Sequence, residues 1–452
     1  MIGNNALLDG VDIDAQVASM LGLMREAFPL CRSITGDGVR DTLAIVARSI
    51  PIAVHEVPSG SVALDWVVPR EWRVREAWIK DPSGRKIVDF SDHTLHLMSY
   101  SVGVRGTFTL EELRPHLFSR PDLPDAIPYR TSYYNEAWGF CLRHRDLERL
   151  EDGDYEVVID AELVDGALTY GELVIPGSTD REILLTTHVC HPSMANDNLS
   201  GIAILTALGG LLHRTRRHHT YRLLFIPGTI GSLAWLERNR NVVSRIDHGV
   251  VLTGVGDRGG PSWKRPRRPD SDVDRAFTHV LTASGRTDAK LLDYYPYGYD
   301  ERQFCSPGFD LPVGRFGRSV HGEYPEYHSS ADDLEFVSEA SMRDSLTILA
   351  QALDVLDADC VPKSLAPFGE PQLGRRGLYA SVGGAIDQRS VEMALLWVMG
   401  YADGSNSLLD IAIRSRLPFA VISEAALRLA NAQLLDITGR SQPTSRPLKD
   451  QP

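Results

Sequence analysis

A histidine and an aspartate nine residues apart carry the first chemistry in this sequence. In LLTTHVCHPSMANDNLSGIAIL, His188 ends the apolar run Ile183–Thr187, and Asp197 lies in the polar turn before the next apolar run. A neutral imidazole and a carboxylate are suitable zinc ligands. The carboxyl end of a buried strand is also where open α/β sheets place their ligands. Taken alone, the same residues describe a polar turn that caps a helix through Asn198 or Ser200. A second histidine, His328, lies in HGEYPEYHSSADDLEFV, just before a turn that reads as a helix start. It could be a third ligand or a hydrogen-bonded surface residue. Adjacent carboxylates, Asp300 and Glu301, occur in YGYDERQFCSPGFDLPV. Near a metal such a pair orients a ligand or exchanges protons, whereas in isolation it is a solvated loop. Asp257 ends VVLTGVGD, a further strand end.

Other residues could serve a substrate. The stretch Trp263–Arg268 holds Lys264, Arg265, Arg267 and Arg268. Arginine suits bidentate contacts to a carboxylate or phosphate, and a solvated basic loop is the plainer reading. Tyr294, Tyr295, Tyr297 and Tyr299 could wall a substrate or pack their own loop. His191 is three residues from His188. Because side chains alternate along an extended chain, it reads as a loop contact rather than a ligand. The run His213–His219 reads as a solvated helix end.

The elements that must position these residues change in texture along the 452 residues. Helical spacing of Val17, Met20, Leu21 and Met24 is followed by a break at Gly36-Asp37-Gly38. From about 64 to 155, short β-branched and aromatic segments separated by turns predict an all-β module, a sandwich or jelly-roll. Beyond it the pattern is α/β. EVVIDAELV and LTYGELVIPG read as a hairpin, and EILLTTHV, YRLLFIPG and HGVVLTGVG as buried strands. A Pro- and Gly-rich linker spans 361–387. Three short helical patterns in 388–440 have the rhythm of a winged helix-turn-helix, and the polar tail 441–452 reads as disordered. The winged-helix stretch balances 5 basic against 5 acidic residues. It therefore lacks the basic footprint of a DNA reader, and a protein-contact or dimerisation role is expected. With a formal net charge of −13, the whole surface also disfavours nonspecific nucleic-acid binding. No apolar run approaches the ~20 residues of a membrane span. The start of the chain has no secretory pattern. Five widely spaced cysteines without a CxxC pair predict reduced thiols in a cytoplasm.

Together THVCHPSMANDNLSG, FIPGTIGS, LTGVGD, YDERQFCSPGFDLPV and EYHSSADDL resemble the zinc aminopeptidase superfamily. More narrowly, the chain resembles bacterial aminopeptidase-like proteins associated with polysaccharide or secondary-metabolite biosynthesis. FPLCRSITGDGVRDTL, WVVPREWRVREAWIKD, TSYYNEAWGFCL and LLWVMGYADGSNSLLDIA carry that match. The resemblance implies a mixed α/β sheet with helices on both faces, built from 1–63 and 156–360. An all-β insert at 64–155 and a winged helix at 388–440 complete it. It implies zinc held by His188, Asp197 and His328, with Asp257 at a second metal or beside the ligands, and Asp300 and Glu301 lining the pocket. The family's strand end normally carries a glutamate where this sequence has Gly228, so Glu301 is the expected proton acceptor, with Asp300 orienting a neighbour. Lys264, Arg265, Arg268 and Tyr297 are the expected substrate contacts. The expected function is a zinc-dependent hydrolase of an amide or peptide bond in a small biosynthetic substrate, in a homo-oligomer. Loss of the glutamate leaves two alternatives, amide formation or cyclisation and a non-catalytic metal-binding scaffold. Restoring it by Gly228→Glu is expected to raise amide hydrolysis.

Overall fold

The computed structural model describes residues 7–283, 285–320, 322–378 and 388–439. The expected tail, and residues 379–387 of the expected linker, lie outside the described residues. An eight-stranded mixed sheet organises the molecule. Across it run Ala53–Pro58, Ala167–Ile175, Thr220–Ile226, Glu182–His188, Ile246–Leu252, Val313–Gly317, Ser262–Lys264 and Lys290–Leu292. The central four, from Thr220–Ile226 to Val313–Gly317, are parallel. Their carboxyl ends therefore open at one edge, and His188 stands at one of them. All four are buried along their whole length, and in three of them this matches near-continuous apolar sequences.

Side-chain alternation divides the core into two. Ile183, Leu185, Leu223, Phe225, Val250 and Leu252 face one way, against helices Ile13–Ala27, Gly201–Leu212, Asp272–Ala283 and Glu339–Ala358. Leu184, Leu224, Ile226 and Val251 face the other way, against helix Ile230–Arg238 and the insert residues Trp72, Ile79 and Tyr155.

The insert is all-β, as expected, but its sheet is single. The strands Lys86–Asp89, Glu71–Lys80, Asp154–Val164 and Val104–Thr109 form one antiparallel sheet, in that order. Among the described residues only two-stranded ribbons accompany it, so it is neither sandwich nor jelly-roll. The expected hairpin of EVVIDAELV with LTYGELVIPG does not form. Asp154–Val164 pairs within the insert, whereas Ala167–Ile175 pairs with Ala53–Pro58 and Thr220–Ile226 of the large sheet. The chain thus leaves the large sheet at Pro58 and returns at Ala167, and those two residues are ladder partners.

The C-terminal winged helix comprises helices Gln388–Tyr401, Leu408–Ser415 and Phe419–Asn431. A two-stranded ribbon joins Leu435–Asp436 to Lys363–Ser364, so part of the expected linker is strand. Leu408, Ile411, Ile422 and Leu429 join the first core. No helix among the described residues is long and apolar enough to cross a membrane.

Candidate metal centre

The loop that follows His188 is fixed residue by residue. The Asp332 carboxylate accepts from the backbone N–H of Asn196 at 2.6 Å and of Asp197 at 2.8 Å, and its carbonyl accepts from Ala195. The Asn196 side chain accepts from the N–H of Gly256 and Asp257 and donates to Asp257 Oδ2 at 3.0 Å. Asn198 donates to Thr187 Oγ1 at 2.7 Å and accepts from Gly254 N–H at 3.2 Å. Anchored on both sides, Asp197 is 1% exposed.

Three imidazoles surround its carboxylate. His188 Nε2 lies 2.8 Å from Oδ1, His328 Nε2 3.1 Å from Oδ2, and His191 Nε2 4.0 Å from Oδ2. The Tyr299 hydroxyl donates to the same carboxylate at 2.9 Å, and its ring stacks on His188. Donor atoms of His188, His191 and Asp197 all lie within 4.8 Å of one another. Burial works against the Asp197 carboxylate, yet the imidazoles of His191, His188 and His328 hold its pKa well below the usual range. Burial pulls the His191 pKa well below its ordinary value, against the pull of Asp197. A carboxylate and neutral imidazoles are the forms a metal requires.

The insert builds one wall of this centre. Pro128 bridges to Ser329, Tyr129 N–H donates to His328 O at 2.8 Å, and Ser330 N–H donates to Ile127 O at 2.8 Å. The Tyr129 ring meets His191 and His328 edge-on at 5.2 and 5.1 Å. Arg120 donates to the carbonyls of Pro325 and Tyr327. Between these elements lies a cleft of about 390 Å³, lined by Leu117, Arg120, Tyr129, Arg130, Tyr327 and His328 among others. His328 itself is held at φ +54°, a conformation that non-glycine residues rarely adopt.

His188, Asp197 and His328 are thus brought together. His191, read from the sequence as a loop contact, joins them because the strand ends at His188 and alternation no longer governs the turn beyond. Asp257 is buried behind the loop. Its carboxylate accepts from Asn196, from Gly259 N–H at 2.7 Å and from the Ser319 hydroxyl at 2.6 Å. Glu301 and Lys264 are fully buried and pair at 2.9 Å through Glu301 Oε1, while Oε2 is buried without a hydrogen-bond partner. Lys264 also donates to Tyr297 O and lies over the Tyr295 ring. Arg265 faces Asp274 and Asp293, Arg268 donates to Asp310 O, and Tyr297 is 64% exposed.

Asp300 occupies the space that Gly228 leaves. A Cβ at Gly228 would stand 3.3 Å from His188 Cβ and 3.5 Å from both Asp300 carboxylate oxygens. Ser232 donates to Asp300 Oδ1 at 2.9 Å. Burial pushes the Asp300 pKa up to about 6, against the pull of His188 and Ser232.

A family described as a domain of unknown function (DUF4910) matches residues 21–359, three-quarters of the chain. This chain belongs to that family. A winged helix-turn-helix family matches residues 360–437. A Clostridium acetobutylicum protein, named for polysaccharide biosynthesis and an aminopeptidase-like domain, is 46% identical over 92% of this chain and 95% of its own length. A crystal structure from the same organism, described as a peptidase, superposes with TM-score 0.90 at 43% identity, covering 94% and 98% of the two chains. A zinc aminopeptidase from Bacillus subtilis superposes at TM-score 0.56 with 13% identity, over 75% of this chain and 94% of its own. This DUF4910 member therefore has an aminopeptidase-like α/β fold carrying a C-terminal winged helix.

Proposed function

We propose that this protein is a zinc-dependent hydrolase of an amide or peptide bond in a small biosynthetic substrate. The observation that carries the reading is the buried Asp197 carboxylate ringed by three imidazoles at the carboxyl end of the central sheet. The donor set fits zinc. His328 Nε2 is buried and, although 3.1 Å from Asp197, makes no hydrogen bond, which leaves its lone pair free for another partner. His188, Asp197 and His328 would hold the ion, with His191 a further donor at the same place. Zinc so bound lowers the pKa of a water toward ~7 and polarises a carbonyl.

The chain's own residues supply the rest. Asp300, beside His188, would take the proton of the attacking water and return it to the departing amine. Ser232 fixes its Oδ1, leaving Oδ2 for that exchange. Glu301, the acceptor expected from sequence, is already held by Lys264. The cleft beside His328 has the volume of a small-molecule or short-peptide site. A cytoplasmic setting belongs to the same proposal, supported by five free thiols.

The test is hydrolysis of a panel of aminoacyl amides by zinc-loaded protein. Asp300→Asn should lower the rate ~10²–10⁴-fold, the usual worth of a positioned base, with zinc content unchanged. Equal rates in the variant and the parent would remove Asp300 from the reaction. Absence of hydrolysis across the panel by the loaded parent would remove the activity.

A further inference from the structure

A second, narrower cleft shares Tyr327 with the wide one. Asp197, Thr253, Gly254, Tyr299, Arg315, Gly317, Ser319, Tyr324 and Tyr327 line it, and its free volume of about 10 Å³ admits little more than one oxygen-sized group. Arg315 sits on the central strand Val313–Gly317 and is 2% exposed. Its Nε and Nη1 are buried without a hydrogen-bond partner, and no carboxylate among the described residues forms an ion pair with it. The cation directly opposite on the neighbouring strand, Lys264, pairs with Oε1 of Glu301, whose Oε2 is itself buried without a hydrogen-bond partner. A water could meet one N–H of the guanidinium but not its charge. A buried charge without a counter-ion is costly, and such orphans mark a missing ion or ligand.

We infer that Arg315 is an anion subsite, receiving one oxygen of a carboxylate or phosphate-type group of the substrate close to the metal centre. The remainder of the substrate extends past Tyr327 into the wide cleft, since Tyr327 lines both. The planar, forked donors of the guanidinium suit an oxyanion. The inference deepens the proposed function by naming the class of substrate, and it rests on that site being where substrate binds.

Calorimetric binding to the full chain tests it with three probes of one skeleton. These are N-acetylglycine, N-acetylglycinamide and N-acetylaminomethylphosphonate. Zinc-stripped as well as zinc-loaded protein is used, so that direct binding of anions to metal is separated. In stripped protein, at least one anionic probe should bind about tenfold or more tighter than the neutral amide, the scale of charge-assisted hydrogen bonds. Arg315→Gln should abolish that preference and Arg315→Lys should keep part of it. Which anion binds better assigns the group. Equal affinity of all three probes for the parent, including no measurable binding of any, overturns the subsite. A preference that survives Arg315→Gln does the same. Anion preference without amide hydrolysis would remove the proposed activity and leave this subsite, and hydrolysis without anion preference would do the reverse.

Discussion

Removing His328 and removing Tyr299 probe different layers of the same centre. Tyr299 donates to the carboxylate of Asp197 and stacks on the ring of His188, so Tyr299→Phe should weaken zinc binding by the ~10–100-fold typical of an outer partner. His328→Ala should cost more than that, and chelator competition on the purified proteins measures both. Equal zinc affinity in His328→Ala and the parent would take His328 out of the centre. Gly228→Glu, which the family pattern suggests would restore activity, should instead lower zinc content or stability. The added side chain runs into His188 Cβ and sets a second carboxylate against Asp300. A rise in amide hydrolysis by this variant would show that the space exists. The proposed ligands were legible because each sits in its own motif, at a strand end or a helix start. The approach of Asp300 to Gly228 was not, because it comes from a distant loop and adjacency in sequence gives no hint of it. Asp332 left a signal, the Ser-Ser-Ala-Asp-Asp turn after His328, but nothing in that turn says that it fastens the Asn196-Asp197 backbone.

At the level of elements, the strap between insert and His328 loop makes a checkable claim. Arg120 joins the two through the carbonyls of Pro325 and Tyr327 and is only partly exposed. Arg120→Ala should loosen that loop and weaken zinc binding several-fold, while the global melting temperature moves little. The scale follows from hydrogen bonds to charged groups, ~1.5–3 kcal/mol each before solvent exposure discounts them. Unchanged metal affinity would make the strap incidental. Three of the four buried parallel strands were readable as apolar runs because burial on both faces writes itself into composition. Pairing was not. Asp154–Val164 and Ala167–Ile175 are consecutive and both β-rich, yet each finds its partners far away in sequence. Local pattern specifies a strand far better than it specifies its neighbour.

Across the whole molecule, the winged helix is fastened where the long helix Glu339–Ala358 ends. Asp359 accepts from Leu409 N–H at 2.9 Å, and Arg275 pairs with Asp410. Burial pushes the Asp359 pKa up to about 7, against the pull of the Leu409 and Ser407 hydrogen bonds. A carboxyl raised in the folded state stabilises fully only below its unfolded value of ~3.9. The contribution is lost as pH rises from there through about 7. Asp359→Asn should therefore gain melting temperature relative to the parent at pH 8, and the gain should shrink toward pH 4. A difference independent of pH would place that burial cost elsewhere. The seam where the insert joins has a separate consequence. Pro58 and Ala167 are paired, so the ladder itself pins both ends of the long excursion between them at strand spacing. Topologically the excursion is the turn of one hairpin, and its closure entropy grows only slowly with length. Residues gained or lost along its outer strands can thus redraw the mouth of the site, and with it what the molecule admits, while the register of the sheet that carries His188 stays as it is.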